Sequence, residues 1–393
     1  MTEARRLVRP MRPRSRSGHR VATPLELLFD LCFVVAVAQA SDRLHHALIE
    51  GEVGHGLVGY LLVFFAVWWA WMNFTWFASA YDTDDVPYRL AVFVQIAGVL
   101  VLAAGVPRAF DGDIWAVWLG YLIMRFGLVA LWLRAARQGG GQTRGIGRRY
   151  ALGIGLCQVG WLGVALTPQP WTPVTFAAMA LVEMAVPIWA ERHAQTTWHP
   201  HHIAERYGLL TLIVLGETVL SAVGAVEGAL TEGAARIDLV RVGACGLVIV
   251  FAMWWVYFDT PAAPLLRSNR QAFPWGYGHY FVFTSAAAVG AGLGVTIDHD
   301  TGHGTLGRAA TGAVVAVPVA VYLLAVGLLH LRPGVRGRLV ARAYPVAAAL
   351  VLLGIAVPGT LAWTALVLVA VVALLVARPL SHAPEHGAPA PAD

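Results

Sequence analysis

The sequence predicts an all-α fold, a polytopic transmembrane helix bundle of about 12 spans arranged as two parallel six-helix repeats. Three observations carry that prediction. Of the 393 residues 58% are hydrophobic and only 13% charged, and the mean hydropathy is +0.63, values that exclude an ordinary soluble domain. Apolar runs of about 20 residues, the length that crosses a hydrocarbon core, recur from end to end. Two short patterns also return at nearly constant offset. Glu26 corresponds to Glu205, 179 positions on, and Tyr81-Asp82-Thr83 to Phe258-Asp259-Thr260, 177 positions on. Six helices per repeat is even, so the copies share one orientation about an axis along the membrane normal.

The elements follow in order. Residues 1–23 form an arm holding Arg5, Arg6, Arg9, Arg12, Arg14, Arg16 and Arg20, in a chain whose 28 basic residues are all arginine and whose net charge is +5. Beside a membrane span, such an arm reads as a cytoplasmic anchor against anionic lipid rather than a nucleic-acid ligand. The first repeat, 24–195, has spans near 24–42, 57–78, 88–106, 114–134, 150–166 and 171–190. The second, 196–380, has them near 203–224, 239–258, 277–295, 307–330, 343–359 and 361–378, and a disordered tail follows at 381–393. With the arm inside, most arginines fall on inside segments and only Arg43, Arg108, Arg236, Arg241 and Arg308 fall outside. That bias places both termini in the cytoplasm, with a multi-pass chain in the cytoplasmic membrane. The Gly139-Gly140-Gly141 stretch reads as a flexible connection. Cys32, Cys157 and Cys245 fall in apolar spans without metal-ligand spacing, so free thiols are expected. No cleaved signal segment is expected ahead of the first span.

Three motifs resemble the bacterial low-temperature-requirement A family. The first is Glu26-Leu27-Leu28-Phe29-Asp30-Leu31-Cys32-Phe33-Val34. The second is the aromatic Trp68-Trp69-Ala70-Trp71 helix closing on Asp82-Thr83-Asp84-Asp85 with Arg89 after it. The third is Glu205-Arg206-Tyr207-Gly208-Leu209 running to Leu215-Gly216-Glu217. The resemblance implies a multi-pass membrane protein and brings no established molecular activity with it.

Several polar residues lie deeper than apolar spans tolerate without reason. Glu26 and Asp30 are i,i+4 neighbours on one face, continued by Phe33, Val37 and Ser41, and Asp30 lies about 9 Å into its helix. Glu26 alone reads as a first-turn acid facing the helix dipole. Glu217 follows Arg206 by eleven residues, about 16 Å along nearly the same face, so Arg206, Glu217 and Ser221 form a candidate polar path. Arg125, near the middle of the fourth span, should meet an acid, and Glu217 is the expected partner. Glu183 and Glu205 complete the candidate coupling set. Asn73, Gln95 and Gln158 read as glue between helices, and His279 adds a polar group in a ninth span. Asp82, Asp84, Asp85 and Asp259, with Arg89, are candidates for a cytoplasmic mouth or a gate latched to Arg89; the alternative is that Thr83, Asp84 or Asp85 caps the next helix. His201 and Glu205 have i,i+4 spacing that suits a metal, but no further ligand motif accompanies them, so neither metal nor cofactor is expected. The tryptophans of the second span, with Phe251, Trp254, Trp255, Tyr257 and Phe258, read as packing and interfacial-belt residues.

These readings point to a non-enzymatic carrier that moves a small solute or ion. A carboxyl in a low-dielectric bundle suits proton uptake and release, so Glu217 and Asp30 are the expected coupling groups. The partners expected are the bilayer and that solute, with a homo-oligomer possible and no nucleic acid. Two alternatives stay open. Phe29-Asp30 is similar to the F-S-D motif of the animal endolysosomal potassium channel, itself a doubled six-helix repeat, although the serine is missing. An intramembrane lipid-acting enzyme using Glu217 or His279 is the weaker alternative, because no nucleophile–base spacing accompanies them.

Overall fold

In the computed structural model, residues 7–14, 20–81, 83–231, 236–330 and 338–377 are described, and they form twelve α-helices and no strand. The first six are α1 (Pro24–Ile49), α2 (Val53–Tyr81), α3 (Val86–Phe110), α4 (Trp115–Gln138), α5 (Gly141–Ala165) and α6 (Thr172–Ala190). The second six are α7 (Pro200–Thr231), α8 (Arg236–Phe258), α9 (Asn269–Asp300), α10 (Arg308–His330), α11 (Arg338–Leu353) and α12 (Thr360–Ala377). Eleven are long and apolar enough to cross a membrane; α5, with Arg144, Arg148 and Arg149 in its first turns, is the exception. The twelve correspond one to one with the expected spans. Most are longer, since a helix stays hydrogen-bonded after leaving the hydrocarbon. Gly141 opens α5, so the connection expected to be a flexible triglycine is only Gly139-Gly140. Asp82, the tail 381–393 and the arm outside 7–14 and 20–23 lie outside the described residues.

Local chemistry fixes where the helices begin. Thr23 caps α1: its Oγ1 accepts from the Glu26 amide at 3.3 Å, while the Glu26 carboxylate accepts from the Thr23 amide at 2.8 Å, and Pro24 occupies the first helical position. Asp85 caps α3 by accepting from the Tyr88 amide at 3.1 Å. At the far end, α1 stops at Gly51, whose φ of +83° only glycine adopts cheaply.

Helix α9 is the central post, buried from Trp275 to Ile297 with few interruptions and packed on α1, α2, α7, α8 and α10. Its run Ser285-Ala286-Ala287-Ala288-Val289-Gly290-Ala291-Gly292 presents little bulk, so neighbouring backbones approach closely. Helices α1, α7 and α9 run parallel and enclose the middle of the molecule. Below, the end bearing the N-termini of α1 and α7 is the arm side, and the opposite end is the far side.

A tight crossing joins α3 and α4. A Cβ on Gly120 would lie 2.6 Å from the Gly98 carbonyl oxygen and closer still to the Leu102 amide, so two backbones and no flexible side chain would have to move. Gly120→Ala should therefore destabilise the protein by about 1–3 kcal/mol, the usual cost of overpacking. Gly155→Ala, where nothing lies within 4 Å of the added carbon, should leave it as stable or slightly more so. Thermal unfolding of the two variants side by side in detergent checks this, and equal melting would contradict the crossing.

Candidate functional site

On the arm side, α1 and α7 are joined by a buried charge network. The Arg206 guanidinium holds Asp30 with both arms, Nε donating to Oδ2 at 2.8 Å and Nη2 to Oδ1, while Nη1 lies 3.3 Å from Glu26 Oε1. Trp71 Nε1 donates to Asp30 Oδ1 at 2.6 Å. His202 Nε2 lies 3.1 and 3.2 Å from the two Glu26 oxygens, and Arg20 reaches Glu26 at 3.5 Å while donating to the Ser79 carbonyl at 2.6 Å. Glu26, Asp30, His202 and Arg206 are all 1% exposed or less. Two carboxylates thus face two guanidiniums, an opposite-charge pairing of the kind that lets charge survive in an apolar bundle, with Arg206 Nη1 and His202 Nδ1 left without a hydrogen bond among the described residues. Glu205 stands beside the network, accepting from the Ala22 amide at 3.2 Å.

Above this network the middle is closed by rings. Phe29 packs on Phe33 and Phe74 at 5.0 and 4.2 Å between centroids, and Tyr207 packs on Trp71 and Phe283 at 4.9 and 6.0 Å. The path expected from Arg206 to Glu217 is therefore interrupted. Trp68, Trp69 and Trp71 lie in this core and not at a membrane interface, whereas Phe251, Trp254 and Trp255 of α8 are exposed.

Beyond the rings a vestibule of about 460 Å³ opens between α1, α7 and α9. Its inner wall is buried at Ser41, Glu217, Gly290, Ala291 and Gly294, and its lip is exposed at Asp42, His46 and Gly224. Glu217 Oε1 accepts from Ser221 Oγ at 3.0 Å, and among the described residues no cation pairs with its carboxylate. The expected Arg125–Glu217 pair does not form, because Arg125 is taken. Its Nη2 lies 3.2 Å from Glu183 Oε1, and Glu183 Oε2 accepts from Tyr121 Oη at 2.7 Å and from Trp161 Nε1 at 2.8 Å. Arg125 also lies over the Tyr121 ring, 4.3 Å from its centroid. Glu183 and Arg125 are thus paired with each other inside the first six helices, away from the vestibule.

A family model described as bacterial low temperature requirement A protein matches residues 21–377. The chain belongs to that family. An uncharacterized protein of Rhizobium meliloti (strain 1021) is 28% identical over 247 residues, which cover 59% of this chain and 57% of that one. The chain thus spans little more than half the length of that relative. Apart from Arg20, the family match takes in the arm-side network, the ring layer and the vestibule together.

The acidic loop behaves less like an open mouth than expected. Asp85 is buried. It takes Arg134 at 2.8 Å on Oδ1 and again on Oδ2, and the Arg9 amide at 2.7 Å, besides capping α3. It fastens the described arm segment to α3 and α4, where the Met11 amide also donates to Gln138 at 2.6 Å. Asp84, not Asp85, meets Arg89, in an exposed bidentate pair at 2.7 and 2.9 Å. Asp259 follows the arm-side end of α8, and Asp82 lies outside the described residues. Among the described residues the hydrogen bonds of the three span amides run within helices and not between them: Asn73, Gln95 and Gln158 each donate to the carbonyl four residues back on their own helix. His201 is exposed, and its neighbour His202 serves Glu26. Among the described residues, Asp42, His45 and His46 do bring ligand atoms together, and their i, i+3, i+4 spacing on α1 is the sequence signal for that group.

Burial works against the charged form of Asp85, but the bonds from Arg134 and the two amides outweigh it and hold its carboxyl below the usual aspartate range. A depressed carboxylate gives stability that is complete above its unfolded value and lost as pH falls through its folded value. The arm should therefore loosen in acid. Asp85→Asn should loosen it at neutral pH by about 2 kcal/mol, or about thirtyfold faster hydrogen exchange over residues 7–14. Exchange unchanged by the substitution would show that Asp85 does not hold the arm.

Proposed function

We propose that this family member is a secondary carrier in the bacterial cytoplasmic membrane, moving a small solute or ion coupled to protons, with Glu217 in its open vestibule and the Arg206 network as its closed gate. The observation that carries the reading is the asymmetry along α1 and α7. A cavity lined in part by Ser41, Asp42, His46, Glu217 and Ser221 opens on the far side, and the arm side is sealed by a ring layer and a buried ion cluster. A cavity open to one face and closed to the other suits alternating access, whereas a channel needs a continuous path. Deep carboxylates in such bundles commonly mark ion and proton pathways.

The doubled architecture is part of the same proposal. Within 24–195, α1 packs on α3, α3 on α4, α4 on α5 and α5 on α6, and within 196–380 the same order recurs as α7 on α9, α9 on α10, α10 on α11 and α11 on α12. The vestibule then lies between equivalent first helices, where carriers commonly hold their cargo. The arginine distribution supports a cytoplasmic arm side with both termini there, so the vestibule faces outward. The reading has no catalytic step.

Reconstitution into liposomes with a panel of ions and small solutes tests it. Uptake of one of them should follow an imposed pH gradient and reverse when the gradient is reversed. Uptake that ignores the gradient for every solute would remove proton coupling, and unitary currents in a planar bilayer would make the protein a channel instead.

A further inference from the structure

We infer that Asp42, His45 and His46, at the lip of the far-side vestibule, form a binding site for a first-row divalent transition-metal ion, with Glu217 as the next carboxylate inward. The three side chains follow one another on α1 at i, i+3 and i+4, and one ligand atom from each lies within 4.8 Å of the other two. Two imidazoles and a carboxylate are donors that suit zinc, cobalt, nickel or iron(II), where magnesium and calcium prefer oxygen alone.

Two further observations point to a ligand and not merely to clustered polarity. The first is Glu217, 7% exposed and lining the same cavity, with Ser221 as its one partner among the described residues. Buried carboxylates are normally paired or hold a cation, and the other two in these first helices, Glu26 and Asp30, are paired by Arg206. Glu217 lies 17 residues into α7 and Asp42 18 residues into α1, so the two stand at one height, about 26 Å from the arm-side helix ends.

The second is the support around His45. Its Nε2 meets Asp298 Oδ2 of α9 at 2.5 Å, and Gly294 lies against the ring, where a Cβ would sit 3.2 Å from Nε2 and Cδ2. A carboxylate on one imidazole nitrogen is the usual outer partner of a metal-bound histidine: it keeps the proton on Nε2, leaving the Nδ1 lone pair for the ion. Nothing in the helix requires Asp298 to reach across to α1, and this contact gives the ring one orientation.

Cobalt(II) is the probe, titrated into full-length protein in detergent, purified without a polyhistidine tag, and read by its visible d–d absorption and by metal content. One cobalt per chain is expected, with zinc displacing it. His45→Ala and Asp42→Asn should each weaken binding by at least about tenfold, and Asp298→Asn by about 10–100-fold through the outer contact. His201→Ala, on the opposite side, should change nothing. Asp42 and His46 are exposed, so Asp42→Asn and His46→Ala keep the test sound even if His45→Ala lowers thermal stability. Absence of cobalt binding, or binding that all three ligand variants leave intact, overturns the site. The result is independent of transport, because equilibrium binding reads the site and liposome uptake reads the carrier, so either can fail alone.

Discussion

Arg206→Met should lower thermal stability more than any other single substitution in the arm-side half. Arg206 is fully buried and is the main counter-charge of two carboxylates, Asp30 and Glu26. Removing it leaves Asp30 with one neutral donor, Trp71, and Glu26 with the Thr23 amide, His202 and the more distant Arg20. Breaking a buried pair from one side costs about 3–5 kcal/mol, most of it the stranded charge and not the lost attraction. The companion variant decides the mechanism. Arg206→Met combined with Asp30→Asn removes both charges, and it should regain most of the stability, because an apolar stem beside a neutral amide carries no stranded ion. Thermal unfolding of the two variants beside wild type measures this, and a single mutant as stable as wild type would mean that Arg206 does not bear the charge balance. A gating role adds a second readout. The double mutant, folded but without its latch, should leak solute across liposomes in either direction, where wild type does not.

The network shows how far the chain could be read before folding. Asp30 and Arg206 were visible as charges too deep to be accidental, since position along a helix follows from counting residues. Their pairing was not visible, because the partners stand 176 positions apart and meet only when α1 and α7 lie side by side. Arg125 illustrates the same limit. That it needed an acid followed from its depth, but choosing between Glu217 and Glu183 required knowing which helices pack on α4, and that depends on small residues such as Gly120 and Gly127. The Asp42-His45-His46 group was hidden by a boundary. The apolar run weakens near 42, yet α1 continues to Ile49, and only on a continuing helix do the three side chains share a face. The tryptophans of α2 stayed divided between packing and an interfacial belt for a related reason: an aromatic-rich span looks the same in sequence whether its rings meet lipid headgroups or, as here, the core.

Glu217→Gln and Glu183→Gln should have opposite effects, although both replace a buried carboxylate by its amide. Glu183 accepts from Tyr121 and Trp161 and balances Arg125, so its amide leaves a buried guanidinium without a counter-charge, at a cost of about 3–5 kcal/mol. Glu217 accepts one bond, from Ser221, and faces a cavity, so its amide keeps that bond and should cost less than about 1 kcal/mol. The functional consequences run the other way. A group held by two donors and a cation is poorly placed to exchange a proton or a cargo, whereas a buried carboxylate with open space before it and no cation beside it is well placed for both. Glu217→Gln should therefore melt close to wild type and lose coupled uptake, with no proton release when the transported solute is added to protein in a pH-dye solution. Glu183→Gln should melt early and, where it stays folded, still release protons. A Glu217→Gln protein that transports normally would take the vestibule out of the mechanism. A stability loss as large as that of Glu183→Gln would make Glu217 a structural residue.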